Sequence, residues 1–290
     1  MSQADKWRLR AFAPPAVSLL AVTVLHTPAS AGVSPTVADE AVAAVSSGPI
    51  ATPGAAVTER RVIGSSVRDR PIVARRYGPA DATHVGVIIA EIHGTERAGR
   101  PIARRLRQLG APGKTAMWII PTVNPDGHVA RQRKNARGVD LNRNGPHLWK
   151  GTARAPDYYP GRWAMSEPET RAYMQFLEGL DPDLVLIYHQ AGNGVDSYRA
   201  KNMVIVRGLA KRMKMAPKSF SCDGECTGTL TGWFNSTHAG AAITVELPAS
   251  VTAAKTRRWA MAARWAIKSV PDDRSRQDAH DLHSPRSGKA

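Results

Sequence analysis

The chain has 290 residues, 42% hydrophobic and 22% charged, a globular composition that excludes a wholly disordered, collagen-like or coiled-coil protein. No stretch reaches the roughly 18 uninterrupted apolar residues of a membrane-spanning helix, and no period of about 20–50 residues recurs, which excludes solenoids and propellers. Forty Lys and Arg against 24 Asp and Glu leave a net charge of +16. That field favours anionic surroundings, whether nucleic acid, acidic lipid or a carboxylate- and phosphate-rich wall. No zinc-finger or RRM-type motif points to nucleic acid.

Lys6, Arg8 and Arg10 precede an apolar stretch at 11–25, and Ala29-Ser30-Ala31 follows it. A basic head, a short apolar middle and a small-x-small exit predict a signal peptide over 1–31, cut after Ala31, and a protein at work outside the cytoplasm. Left uncut, the same stretch is a short N-terminal anchor. No Arg-Arg pair precedes it, so the general secretion route is expected. Residues 32–57 are Ala, Val, Ser, Thr, Pro and Gly with almost no charge, a linker or pro-segment. The folded domain is expected over 58–270, and 271–290 reads as a disordered tail.

Inside the domain, strands and helices alternate. Residues 84–90 form a β-branched, buried strand, 98–109 a helix with a basic outer face stopped by Gly110, and 117–120 a strand stopped by Pro121. Asn124-Pro125-Asp126-Gly127 reads as a turn. Ser166-Glu167-Pro168-Glu169 opens a helix to Leu180 with a serine cap and an early proline. Strands at 183–188 and 242–247 follow, and a helix runs from about 251 to 268. Apolar strands separated by helices predict an α/β domain with a mixed, mainly parallel sheet covered by helices on both faces.

Strong polar residues stand where the strands end: His93 and Glu96, His189, and Glu246. In open α/β sheets, sites form beyond the carboxyl ends of the strands. Gly94 between His93 and Glu96 lets the chain turn so that both face one point. With His189 they make a two-His, one-Glu set that suits Zn²⁺ and leaves a position for water. Arg143, between Asn142 and Asn144, offers a planar donor fork for a carboxylate, and Arg133 could meet negative charge developing on a carbonyl oxygen. Cys222 and Cys226 read as a small local disulfide in an exported protein; a metal site is the weaker reading, because no further ligands are spaced nearby.

His-Gly-Thr-Glu, Asn-Pro-Asp-Gly, Arg-Lys-Asn, Gly-Val-Asp-Leu-Asn-Arg-Asn and Thr-Val-Glu-Leu-Pro occur here in the order seen in the zinc carboxypeptidase (M14) family, which the chain resembles over roughly 58–268. Position by position, the resemblance implies one zinc ion per chain on His93, Glu96 and His189. It implies Glu246 as the catalytic glutamate, Arg133 as the arginine that polarises the scissile carbonyl, and Asn142 and Arg143 as the pair that holds the substrate's carboxylate. Many members close a loop tyrosine over the substrate from a position upstream of that glutamate. Between Lys201 and Glu246 this chain has none, and Trp233, Tyr198 and Tyr158 are the residues to examine.

The short domain, and the segment from Cys222 to Trp233, resemble the compact bacterial branch of the family, the murein peptide amidases. The resemblance then implies hydrolysis of the γ-D-glutamyl–meso-diaminopimelate bond of murein peptides. The basic stretches at 97–107 and 201–218 offer a surface for an anionic cell wall. The alternatives are an ordinary secreted carboxypeptidase, a deacylase similar to aspartoacylase and succinylglutamate desuccinylase, and a catalytically inactive wall-binding protein. The last should have lost a ligand or the glutamate, and neither is lost. Oligomeric state is left open.

Overall fold

The computed structural model describes residues 57–153, 155–221 and 226–270. The expected signal peptide, the linker up to residue 56, the tail and Cys222 lie outside them. One eight-stranded sheet runs in the order β1-β2-β4-β3-β5-β8-β6-β7. Its strands are β1 (Glu59–Ser65), β2 (Pro71–Tyr77), β3 (His84–Ile89), β4 (Thr115–Ile120), β5 (Leu184–Gln190), β6 (Gly194–Asp196), β7 (Ala216–Lys218) and β8 (Ala241–Leu247). The central pairs β4–β3, β3–β5 and β5–β8 are parallel, as is β6–β7. The pairs β1–β2, β2–β4 and β6–β8 are antiparallel. The mixed, mostly parallel sheet is the predicted one.

The parallel centre follows from composition. Every residue of β4 is buried, as are all of β5 but its last, because helices cover both faces of these strands. Alternate side chains go to opposite faces. Ile88, Leu186 and Ile243 enter one core with helices α1 (Gly99–Leu109), α4 (Met203–Met213) and α6 (Ala253–Lys268). Val87, Ile89, Val185 and Ile187 enter the other with α3 (Pro168–Leu180) and α5 (Leu230–Thr237). Each such Ile or Leu, fully buried, contributes about 1.5–3 kcal/mol relative to exposure. No helix among the described residues is long and apolar enough to cross a membrane.

Local readings change at two places. Asn124 starts helix α2 (Pro125–Ala130) rather than a free turn: its side-chain oxygen accepts the Gly127 N–H at 2.9 Å, and Pro125 occupies the first helical position. At α3 the cap is not Ser166. Glu167 holds the extended N-cap position without a side-chain cap bond, and the Ser166 hydroxyl donates to Glu167 Oε1 at 2.8 Å. The serine is drawn away by a buried carboxylate with a stronger claim on its proton.

Candidate active site

From β3 the chain crosses through α1 to β4 on one side, and β5 later enters on the other side of β3. The crevice at that reversal, outside the carboxyl ends of the strands, is where such sheets bind ligands. The segment after β3 delivers His93 and Glu96, and β5 delivers His189. In the β5–β8 register, His189 stands opposite Glu246. Gly94 is required by contact rather than by dihedral angle. A Cβ there would come within 2.0 Å of the Gly127 carbonyl carbon, so glycine lets this segment pack against α2.

One ligand atom each from His93, Glu96 and His189 lies within 4.8 Å of the others, and all three residues are buried. Glu96 Oε1 is 2.9 Å from His93 Nδ1, and Glu96 Oε2 is 2.8 Å from His189 Nδ1. His93 donates Nε2–H to Asp140 Oδ1 at 2.9 Å, which fixes the tautomer and turns the other nitrogen inward. That Nδ1 is buried and has no properly directed hydrogen bond despite its nearness to Glu96. Two imidazole nitrogens and a carboxylate converging on one point, one of them orphaned, with a carboxylate behind the first imidazole, form a donor set that fits Zn²⁺.

Charge balances the cluster. Burial alone would raise the Glu96 pKa, but His93 and His189 outweigh it and hold the carboxyl far below the usual range. Burial likewise opposes ionisation of Asp140, and His93 and Arg133 overcome it. For His93, burial disfavours the charge while Asp140 and Glu96 together raise the pKa. Behind the cluster, burial pushes Glu91 up to about 7; its Oε1 lies 3.0 Å from His128 Nδ1.

Beside it opens a cavity of about 530 Å³, lined by His93, Glu96, His189, Glu246, Arg133, Asn142, Arg143 and Cys226 among others. Arg133 donates Nη1–H to Glu96 Oε1 at 2.8 Å, and Nε–H and Nη2–H to Asp140 Oδ2 at 3.2 and 2.9 Å. Of its five N–H groups, two remain for a ligand. The Asn142 amide oxygen accepts Leu230 N–H at 3.0 Å, and its nitrogen stands 3.5 Å from His189 Nε2. Arg143 donates to the Asn142 carbonyl at 2.8 Å and makes no ion pair among the described residues. Burial lowers its pKa. Glu246 Oε2 accepts Gly192 N–H at 3.3 Å.

All seven predicted chemical residues therefore border one cavity. Cys226 is disulfide-bonded and lies 3.8 Å from Arg143 Nη2; the predicted partner, Cys222, lies outside the described residues. Of the three aromatic residues singled out, Tyr158 and Tyr198 line the cavity, whereas Trp233 is core. The Tyr158 ring lies 5.1 Å from the Arg133 guanidinium and 5.3 Å from that of Arg143. No local sequence pattern connects Asp140 to a histidine 47 residues away, and none marks Asp196, which lines the cavity.

Residues 51–202 match the family described as zinc carboxypeptidase, Peptidase_M14. Murein peptide amidase A of Escherichia coli K12 is 34% identical over 124 residues, which are 38% of this chain and 51% of that protein. The catalytic chain of carboxypeptidase N from Rattus norvegicus is 29% identical over 164 residues, 43% of this chain and 36% of that protein. The chain thus spans about half the length, or less, of these curated relatives. Among solved structures, the murein-tripeptide amidase MpaA from E. coli O157 is similar with a TM-score of 0.62 at 24% identity, covering 78% of this chain and 98% of that one. Carboxypeptidase A from Helicoverpa armigera gives 0.60 at 20%, covering 78% and 70%. These structures share the fold. The family match takes in more than half of the chain and carries both histidines and the glutamate of the buried cluster, so the chain belongs to the zinc carboxypeptidase family of metallopeptidases.

Proposed function

We propose that this chain is a secreted zinc peptidase that hydrolyses the amide bond next to a free carboxylate, and that its substrate is the γ-D-glutamyl–meso-diaminopimelate bond of murein peptides. The observation that supports it best is Arg143: a half-buried guanidinium without an ion pair, on the same cavity wall as the His93–Glu96–His189 cluster. A partly buried guanidinium whose hydrogen bond goes to a neutral carbonyl and not to a carboxylate can receive an anion. The E. coli murein peptide amidase, at 34% identity, supports the choice of bond. The net charge of +16 and the expected signal peptide support action at an anionic wall.

His93, Glu96 and His189 would hold the zinc. An ion held by them would supply Lewis acidity and make a nearby water easier to deprotonate. Glu246 takes the proton of the attacking water and returns it to the leaving nitrogen. The two free N–H groups of Arg133 face the charge that develops on the carbonyl oxygen. Arg143, with Asn142 beside it, holds the carboxylate and so sets which bond lies at Glu246.

The test is mass spectrometry of products from L-Ala-γ-D-Glu-meso-diaminopimelate and from a plain peptide, using the full chain with zinc. Diaminopimelate should be released from the first substrate. Glu246→Gln should lose at least about 10²-fold in kcat while its zinc content stays unchanged. Cleavage of the plain peptide alone would make the chain an ordinary carboxypeptidase. Silence on both, with zinc bound, would favour a deacylase.

A further inference from the structure

Among the described residues, the aromatic side chains that stand exposed are Tyr158, Tyr159 and Trp163, the last with 59% of its surface open. All three lie in one loop, and every other described Trp, Tyr or Phe is buried or half-buried. The loop is pinned. The Tyr159 carbonyl accepts Asp140 N–H at 2.8 Å. Asn144 donates its amide to the Pro160 carbonyl at 2.7 Å and to the Trp163 carbonyl at 3.1 Å, and Trp149 Nε1–H reaches the Pro160 carbonyl at 3.2 Å. At Gly161 φ is +87° and a Cβ would collide with the Ser166 hydroxyl, so this turn requires glycine. The rings are thus held out to solvent by a backbone anchored on Asp140 and Asn144, which flank Asn142 and Arg143.

Tyr159 and Trp163 open onto a second cavity of about 670 Å³, shared with Val139, Glu167, Arg137 and Arg162. It begins one residue from the catalytic cavity, because Tyr158 lines that one, its ring 5.1 Å from the Arg133 guanidinium. Arg137 is paired with Glu167 at 3.6 Å. Arg162 makes no hydrogen bond or ion pair among the described residues, and neither the Tyr159 hydroxyl nor the Trp163 indole N–H has a partner there. An exposed apolar patch rimmed by polar groups marks a binding site. Two aromatic faces with uncommitted donors at their edges match a pyranose ring, whose C–H face is apolar and whose rim is hydroxyl.

We propose that this cleft is a sugar subsite that extends the catalytic cavity and holds the glycan ring from which the stem peptide hangs. The inference rests on the reading of the substrate as a murein peptide. Upstream of the scissile bond that stem offers only a glutamyl carboxylate and an alanyl methyl, and neither covers two aromatic rings. The next group is the sugar. Two extended residues span roughly 7 Å, which carries the stem past the Tyr158 ring to the cleft. There the sugar's apolar face lies on Trp163 and Tyr159, and Arg162 donates to its acetamido carbonyl or hydroxyls. The stem still attached to glycan, rather than the freed peptide, is then the preferred substrate.

Two ligands that lack the scissile bond separate this claim from the reaction. Calorimetry on the full, zinc-loaded chain should show N-acetylmuramyl-L-Ala-D-Glu binding on the order of 10-fold tighter than N-acetyl-L-Ala-D-Glu, which has no sugar. Trp163→Ala should erase that preference, and Trp163→Phe, which keeps a ring, should retain most of it. Equal binding of the two ligands to the unaltered chain overturns the subsite without recourse to any variant, as does a preference that survives Trp163→Ala. Loss of affinity for both ligands in Trp163→Ala would also overturn it by making the ring a prop for the catalytic cavity. A sugar preference with no hydrolysis of N-acetylmuramyl tripeptide would leave the subsite standing and remove the proposed reaction; hydrolysis with no sugar preference would do the reverse.

Discussion

His93 is useful to a metal only while its Nδ1 stays bare, and Asp140 is what keeps it so. The aspartate is fully buried and takes His93 Nε2–H on one oxygen and Arg133 on the other, so one side chain orients a candidate ligand and a candidate oxyanion donor at once. Asp140→Asn removes the charge that favours the Nε2–H tautomer and offers an amide donor where an acceptor is needed. Zinc affinity in a competitive chelator titration should fall about 10- to 100-fold, with thermal unfolding of the zinc-free chain followed alongside. An unchanged affinity would show that Asp140 merely fills space. Spacing alone brings out His93 and Glu96, three residues apart at a strand end, but Asp140 lies in a loop whose fold onto β3 no local pattern states. Asp196 was equally illegible, since β6 has only three residues and no hydrophobic period.

The loop that carries Arg133, Asp140 and Arg143 is braced by the start of α3. Asn135 donates its amide to Glu167 Oε2 at 2.8 Å and to Glu169 Oε2 at 3.1 Å, and its oxygen accepts the Arg137 and Val139 N–H groups. Asn144 ties in from the other side through Ser166. Asn135→Ala strips two buried carboxylates of their shared donor and should cost about 2–4 kcal/mol in urea unfolding. The loss should grow with pH. Burial raises the Glu169 pKa, so the folded chain holds that proton more tightly than the unfolded chain does. Stability therefore falls as pH rises from the ordinary carboxylate value through the raised one. Without Asn135, which favours the ionised form, the pKa moves further up and the fall steepens. A loss that is the same at mildly acidic and neutral pH would mean the brace is not felt through Glu169. The apolar runs that became β3, β4, β5 and β8 were legible because strands buried on both faces leave a continuous signature. The strands β1 and β2 were not, since charges such as Arg60, Arg61 and Arg75 interrupt them. Nor was α2, because Asn-Pro-Asp-Gly opens a turn and a short helix with the same first bonds.

Across the whole molecule the two faces of the sheet differ in charge. Helices α1 and α4 both pack on α6, and together they make the layer on the face away from Glu246. Their sequences carry Arg100, Arg104, Arg105 and Arg107, then Arg207, Lys211 and Arg212, then Lys255, Arg257, Arg258, Arg264 and Lys268, and not one Asp or Glu. The sequence alone pointed to 97–107 and 201–218; the packing sets α6 between them and joins them into one surface. None of these cations makes an ion pair among the described residues. Like charges held on one layer repel, and that repulsion is offset when a polyanion lies across them. Fields of this kind act over about 8 Å at physiological ionic strength, so the effect belongs to the layer rather than to any one side chain. Sedimentation with isolated cell wall should show strong retention at low salt and progressive release as salt rises. Lys211, Arg257 and Arg258 are exposed and lie in helices on the opposite side of the sheet from the cavity. Replacing all three with Glu should abolish most retention at low salt while leaving hydrolysis of a small soluble tripeptide unchanged. Retention that resists salt, or that survives the triple reversal, would mean that the wall is held through the catalytic cavity and that the basic layer is only solvated surface.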